Sequence, residues 1–176
     1  RSTRVLAFVA GDFDMTYPFD ITKPLLKDIK SQAPKAICEL SPTNVSRNLI
    51  VNRDAPPFDN EKIRKAMALS LDRKAFIDIL SEGQGAMGGA MLPQPEGVWG
   101  MPAEMLRTLT GYGEDVGKNR EAARKLMQEA GYGPNKRLAV KVATRNIAVY
   151  RDPAGILIDQ LREMYVDGEL ETVGTP

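Results

Sequence analysis

Histidine is absent from this sequence and cysteine occurs once, at Cys38. Their scarcity removes histidine acid–base chemistry, Ser/His and Cys/His nucleophile pairs and the usual zinc ligand sets. Any catalysis would have to rest on carboxylates, lysine or tyrosine. Cys38 lies in the apolar run Ala36-Ile37-Cys38 and reads as a small buried residue rather than a reactive thiol. An excess of either charge is also missing: 24 Lys and Arg stand against 23 Asp and Glu, with no basic block. A nucleic-acid footprint is therefore not indicated. No stretch approaches the ~20 apolar residues of a membrane span. Arg1-Ser2-Thr3-Arg4 leads into a short apolar run rather than a signal-peptide core, as expected if a leader has been removed or the chain starts inside a longer protein.

What is present is the ordinary composition of a chain with one core: 176 residues, 43% hydrophobic and 27% charged. Val5 to Ala10 is a short apolar run closed by Gly11-Asp12, which predicts a buried strand ending in a turn, with Asp14 close behind. Ile21, Leu25, Leu26 and Ile29 fall at helical spacing, with Pro24 in the first turn. Ala36–Leu40 and Val45–Asn52, separated by Ser41-Pro42-Thr43-Asn44, read as two strands of a hairpin or as sheet neighbours. Asp59 or Asn60 is placed to cap a helix carrying Ile63, Ala66, Met67, Ser70 and Leu71. Asp72 would cap a second one, set at an angle and ending near Gly83.

Residues 83–118 hold nine of the fifteen glycines and three of the prolines, with Met87, Met91, Trp99, Met101 and Met105 interleaved. The irregularity predicts a long structured loop, a place where function concentrates. Beyond it, Asn119 is the expected cap of a helix ending at Gly131, followed by a strand over 138–143. Asp152 and Pro153 are read as the cap and first position of the next helix. Its apolar residues Ala154, Leu157, Ile158, Leu161, Met164 and Tyr165 make the clearest periodic signal in the chain. A strand over 170–173 completes a strand–helix–strand unit with parallel strands, so the class is α/β.

Three motifs carry less than their letters suggest. Gly83-Gln84-Gly85-Ala86-Met87-Gly88 matches G-x-G-x-x-G, but a helix precedes it and a proline-rich loop follows, the reverse of a dinucleotide site. Gly113–Asn119 lacks the spacing of a phosphate loop and carries two acids. Asn44-Val45-Ser46 fits the glycosylation triplet, which arises often by chance. Candidate ligand groups are Arg47, Asn48, Gln94, Trp99, Arg145, Asn146 and Tyr150, at expected strand ends and loops. Arginine can clamp a carboxylate, Trp and Tyr offer flat apolar contact, and Asn and Gln pair with amides. Each is equally well a solvated surface residue when taken singly.

An ordered series of segments supplies a resemblance. Asn48-Leu49-Ile50-Val51-Asn52 comes first, then Pro56-Pro57-Phe58-Asp59, Ile63-Arg64-Lys65-Ala66 and Leu69-Ser70-Leu71-Asp72-Arg73. Leu92-Pro93-Gln94-Pro95-Glu96-Gly97-Val98-Trp99-Gly100 and Ala122-Ala123-Arg124-Lys125-Leu126-Met127-Gln128-Glu129-Ala130-Gly131-Tyr132 follow. In this order they resemble the bacterial extracellular solute-binding proteins of the peptide/nickel ABC-transporter class, family 5, over about residues 4–173. Gly11-Asp12-Phe13-Asp14 is similar to the opening of that family's C-terminal lobe. Two features depart from the pattern: residues 101–118 are longer than the usual connection, and Arg47 and Asn48 stand where an aromatic is common.

The resemblance implies a single unit over 1–176, the first part of the C-terminal lobe. The fold would be a partial lobe of type II periplasmic-binding-protein-like form, a mixed sheet flanked by helices. It implies a periplasmic or extracellular solute-binding component, associated with the membrane through an ABC permease. Such a protein captures a peptide or other small organic solute between two lobes, without catalysis, cofactor, metal or nucleic acid, the second lobe lying elsewhere in the parent chain. Two other readings stay open on the residues alone. One is an enzyme using Asp12, Asp14 or the acids of the 113–117 loop; the other is an interaction module using the Met- and Trp-bearing loop.

Overall fold

The computed structural model describes residues 3–17, 21–39, 47–89 and 100–174. Its elements run α1 (Thr3–Ala10), α2 (Lys23–Gln32), α3 (Glu61–Ser70), α4 (Arg73–Ser81), α5 (Ala103–Leu106), α6 (Val116–Glu129), β1 (Leu138–Arg145), α7 (Ala148–Arg162) and β2 (Val166–Val173). The α/β class holds. β1 and β2 pair in parallel, Leu138 opposite Val166 and Arg145 opposite Val173. The antiparallel component among the described residues is the isolated Gly133–Lys136 bridge.

The core forms where α3, α6 and α7 meet the sheet. Ile63, Ala66 and Met67 of α3, Ala123 and Met127 of α6, Leu138 of β1, Leu157 and Leu161 of α7, then Met164 and Val166, make one buried cluster. The helical spacing of the apolar positions in the sequence is thus the spacing of the buried faces. Gly168 of β2 passes directly beneath α7, where an added Cβ would stand 2.9 Å from Ile158 Cγ1. The strand begins at Val166, four residues before the expected 170, because buried Val166 and this close crossing override the poor strand propensity of Asp167-Gly168-Glu169.

The α3–α4 break follows the expected chemistry. Asn60 Oδ1 accepts from the Lys62 N–H at 2.9 Å, and Asp72 Oδ1 accepts from the Ala75 N–H at 2.9 Å. Arg64 donates to the carbonyls of Phe58 and Asp59 at 2.7 and 2.8 Å, holding the Pro-Phe turn onto the helix it precedes. Two other boundaries differ from expectation. Asp115, not Asn119, caps α6 by accepting from the Lys118 N–H at 3.0 Å, because the helix starts a turn earlier through Val116-Gly117. Asp152 and Pro153 lie inside α7, which starts at Ala148 after Ile147. Pro153 removes one amide from the second turn, and the helix continues because Ala154, Leu157, Ile158 and Leu161 are buried against the core and sheet.

Three strand expectations fail in their described parts. Residues 5–10 are helical, closed by a backward bond from the Asp12 N–H to the Ala7 carbonyl at 2.9 Å across Gly11, whose φ is +88°. A short apolar run does not distinguish helix from strand, and the left-handed Gly11 turn suits a helix end. Residues 36–39 and 47–52 form no ladder, and Ile37 and Ile50 are 91% and 90% exposed. Strand-like composition does not act without a neighbouring strand in register. Cys38 is half-buried rather than buried. Leu40, the turn Ser41–Asn44, the Asn44–Ser46 triplet, Gln94 and Trp99 lie outside the described residues.

α1 and α2 pack on each other, and α2 is tied to the end of α4 through Glu82, which faces Lys27 at 2.7 Å and Lys23 at 3.9 Å. The Lys27 hydrogen bond holds the Glu82 carboxyl below its ordinary value of 4.5. A depressed carboxyl contributes stability that is present above its unfolded value and fades as pH falls through the folded one. Amide exchange in α2 is therefore expected to quicken relative to α7 between pH 5 and pH 3. In Glu82→Gln that acid-dependent component should be absent, and its persistence would show that Glu82 is not the tie.

Candidate functional site

The chain leaves the sheet at Arg145 and turns at once into α7. The Asn146 N–H donates to the Val173 carbonyl at 3.3 Å, extending the ladder by one residue, and the Ile147 N–H donates to the Arg145 carbonyl at 2.8 Å. Ile147 occupies the cap position with extended backbone, and the amides of Tyr150 and Arg151 both donate to its carbonyl at 2.9 Å. This tight reversal brings Tyr150 back toward the strand end. The Arg145 guanidinium lies 5.8 Å from the Tyr150 ring centroid, within cation–π range. Asn146 Oδ1 accepts from Arg151 Nη1 at 3.4 Å, while Arg151 Nε is 3.9 Å from Asp152 Oδ1.

Three of the seven expected ligand residues, Arg145, Asn146 and Tyr150, are therefore brought together at the carboxyl end of β1. Exposed Ile147 and Val173 stand beside them. Strand carboxyl ends in α/β sheets are where ligands gather, because the chain turns there and leaves side chains unoccupied by the core. The group offers a planar cation, an aromatic face, an amide and an apolar margin, which together suit a solute bearing a carboxylate. It is also exposed. A solvated arginine–carboxylate pair contributes roughly 0–1 kcal/mol, whereas micromolar binding needs about −8 kcal/mol. This cluster can bind usefully only when a second surface covers it and excludes water.

Arg47 and Asn48 are exposed on the segment that runs toward Val51, which packs against the core. A separate shallow trough of about 580 Å³ lies between α3, the 107–113 turn and α6, with Leu69, Leu109 and Leu126 as floor and Lys65, Arg107 and Lys125 at the rim. None of the expected ligand residues lines it. Among the described residues no three His, Cys, Asp or Glu side chains are grouped to hold a metal ion, and no helix is long and apolar enough to cross a membrane. Sequence reasoning missed two polar devices: the Gln160 amide bonded to the Asp72 backbone, and Arg73 stacked on Tyr112. Their only sequence signal was Asp72-Arg73 within the break.

Known proteins resemble this chain over most of its length. The family model for bacterial extracellular solute-binding proteins, family 5 Middle, matches residues 1–174. The chain is 28% identical over 153 residues to the periplasmic oligopeptide-binding protein OppA of Escherichia coli, covering 80% of this chain and 24% of that protein. It is 31% identical over 134 residues to heme-binding protein A of Haemophilus influenzae, covering 76% of this chain and 22% of that protein. Among solved structures, Haemophilus influenzae OppA in complex with RPPGFSPFR superposes with a TM-score of 0.71 at 26% identity, over 97% of this chain and 33% of the other. NikA from Brucella suis in complex with Fe(III)-EDTA gives 0.70 at 22% identity, over 98% and 35%, a likeness of fold. The chain thus spans about a quarter of the length of these curated relatives and about a third of the solved chains.

Proposed function

The chain belongs to the bacterial extracellular solute-binding proteins, family 5, and on that premise we propose that it is one lobe's share of the solute-capturing component of an ABC import system. The component works outside the cytoplasmic membrane, in the periplasm or at the cell surface. It closes two lobes on a peptide or similar carboxylate-bearing solute and presents the closed form to a membrane permease. Residues 1–176 act as one unit within the C-terminal lobe. Arg145, Asn146 and Tyr150 form part of its ligand wall, and Arg47, Asn48, Gln94 and Trp99 are further ligand-contacting residues. The observation that carries this reading is the convergence of Arg145, Asn146 and Tyr150 at the end of β1. The oligopeptide-binding relatives support a peptide as the solute.

Capture here requires no covalent step. Binding energy divided between two walls favours the closed form by as much as the solute's preference for it, and closure dries the arginine so that its hydrogen bonds strengthen. Either wall alone leaves the solute half in water. Isothermal titration with tri-alanine should therefore give an affinity about 10- to 150-fold tighter for the full-length parent than for these 176 residues, since a desolvated charge-assisted pair is worth about 1.5–3 kcal/mol. In the parent, Arg145→Ala should weaken tri-alanine binding about 10- to 100-fold. Equal affinities for parent and piece would overturn the two-wall reading, and an unaltered Arg145→Ala parent would remove Arg145 from the wall.

A further inference from the structure

The trough between α3, the 107–113 turn and α6 is separate from the ligand wall, and its chemistry is one-sided. Leu69, Leu109 and Leu126 make an apolar floor, Lys65, Arg107 and Lys125 stand along the rim, and no acidic side chain lines it. The whole chain is balanced, with 24 cationic and 23 anionic residues, so three cations without a carboxylate are a local excess. Lys125 makes no ion pair among the described residues. Lys65 and Arg107 face Glu61 at 3.5 Å and Glu114 at 3.4 Å, outside the trough, and all four side chains are at least half exposed. Ion pairs of that kind contribute little and exchange readily with a competing carboxylate.

The wall is fixed before anything binds. At Gly111 the turn lies so close to α3 that an added Cβ would overlap the Ala68 carbonyl. Arg73 Nη1 donates to the Gly111 carbonyl at 2.6 Å, and Asn119 Nδ2 of α6 donates to the Gly113 carbonyl at 3.2 Å. The turn is thus tied to the helices on both sides, and its ordering entropy is lost in folding rather than in binding.

Shape and charge together select the occupant. A small molecule in so shallow a trough would stay half in water, whereas ligand pockets enclose most of their ligand. The three leucines are half-buried while the three cations are exposed, so the floor lies beneath the rim. A flat anionic bilayer would meet the cations without reaching that floor. A protruding protein segment does both: its carboxylates meet the rim, its apolar side chains fill the floor, and its own backbone closes the site over them. We propose that this trough is a docking site for a protruding segment of a partner protein that carries carboxylates and leucine-type side chains. The inference is independent of which solute the ligand wall holds.

The probe is an end-blocked, fluorescently labelled peptide of repeated Glu-Glu-Leu-Leu, with a Lys-Lys-Leu-Leu peptide of equal length as control. In the full-length parent, with excess tri-alanine present to occupy the solute wall, fluorescence anisotropy should show the acidic peptide bound at least about tenfold more tightly than the basic one. Raising the salt from about 20 mM to about 300 mM should weaken it several-fold, because the rim charges are exposed. Arg107→Glu and Lys125→Glu together should weaken it at least about tenfold, and Leu109→Asn alone by a similar factor. Both variants should keep the wild-type affinity for tri-alanine and melt within a few degrees of wild type. Equal affinity for the two peptides, no binding of the acidic peptide by the parent, or binding that the trough substitutions leave unchanged would overturn the proposal. So would flotation of the parent with phosphatidylglycerol vesicles, or its self-association, where the double substitution abolishes it, since the occupant would then be a membrane or a second copy.

Discussion

Replacing Gly111 with alanine is expected to destabilise the chain by about 2–5 kcal/mol. Two causes add. Its φ of +83° lies in the left-handed region, which costs a residue with a Cβ about 1–2 kcal/mol. The new methyl would also sit on the Ala68 carbonyl group, with the carbonyl carbon at 2.6 Å and the Leu69 nitrogen at 3.2 Å. These are backbone atoms of α3, a helix whose Ile63, Ala66 and Met67 are locked into the core, so no side-chain rotation relieves the contact. Overpacking of that kind adds about 1–3 kcal/mol.

Gly131 provides the control, because its φ is +87° and nothing lies within 4 Å of the position a Cβ would take. Gly131→Ala should therefore lose only the conformational part, about 1–2 kcal/mol. Thermal or urea midpoints measure both. At this chain length each kcal/mol moves the melting temperature by about 2–4 °C, so Gly111→Ala should melt about 4–20 °C lower than wild type. Equal shifts for the two variants would show that the 111–112 turn is free to move off α3.

The β1–α7–β2 unit was legible in the sequence because burial there follows a single period. Leu157, Ile158 and Leu161 recur at helical spacing, and Met164 and Val166 carry the same face through the turn into the strand. What escaped were features set by one long-range contact. Nothing within residues 5–10 distinguishes a helix from a strand until Gly11 closes the turn, and the strand-rich composition of 36–39 and 47–52 has no ladder to join. α7 also starts before Pro153, because burial further along the helix outweighs the missing amide.

The candidate site divides the same way. Arg145, Asn146 and Tyr150 are close in sequence, so the end of a recognised strand was enough to assemble them. Arg73 and Tyr112 are 39 residues apart and Gln160 is 88 residues from Asp72. No local pattern announces an amide that will meet a backbone on another helix. Such groups become visible only when the fold shows which buried N–H needs an acceptor.

Gln160 illustrates this with the second large expected effect. Its residue is 7% exposed, its Oε1 accepts from the Asp72 N–H at 2.8 Å, and its Nε2 donates to the Asp72 carbonyl at 3.2 Å. The amide thereby pins α7 to the α3–α4 break. Gln160→Leu keeps the bulk but leaves the Asp72 N–H without its acceptor, a loss of about 1–3 kcal/mol that should not vary with pH.

Gln160→Glu should behave differently. As a carboxylate, its second oxygen would face the Asp72 carbonyl oxygen, and the Asp72 carboxylate is part of the same residue. As a carboxylic acid it can donate to that carbonyl and accept from the N–H, reproducing the amide. Folding therefore favours the protonated form and raises its pKa above the ordinary ~4.3. The folded state then holds more protons than the unfolded one, so stability relative to wild type falls as pH rises through that interval. At pH 7 the deficit should reach about 2–4 kcal/mol, since an unsatisfied buried pairing is compounded by charge burial. Near pH 4 it should shrink toward zero. Chemical denaturation of both variants and wild type from pH 4 to pH 8 measures the difference directly. A constant deficit for Gln160→Glu across that range would mean that the side chain turns out to solvent, and that α7 is held to the α3–α4 break by apolar packing alone.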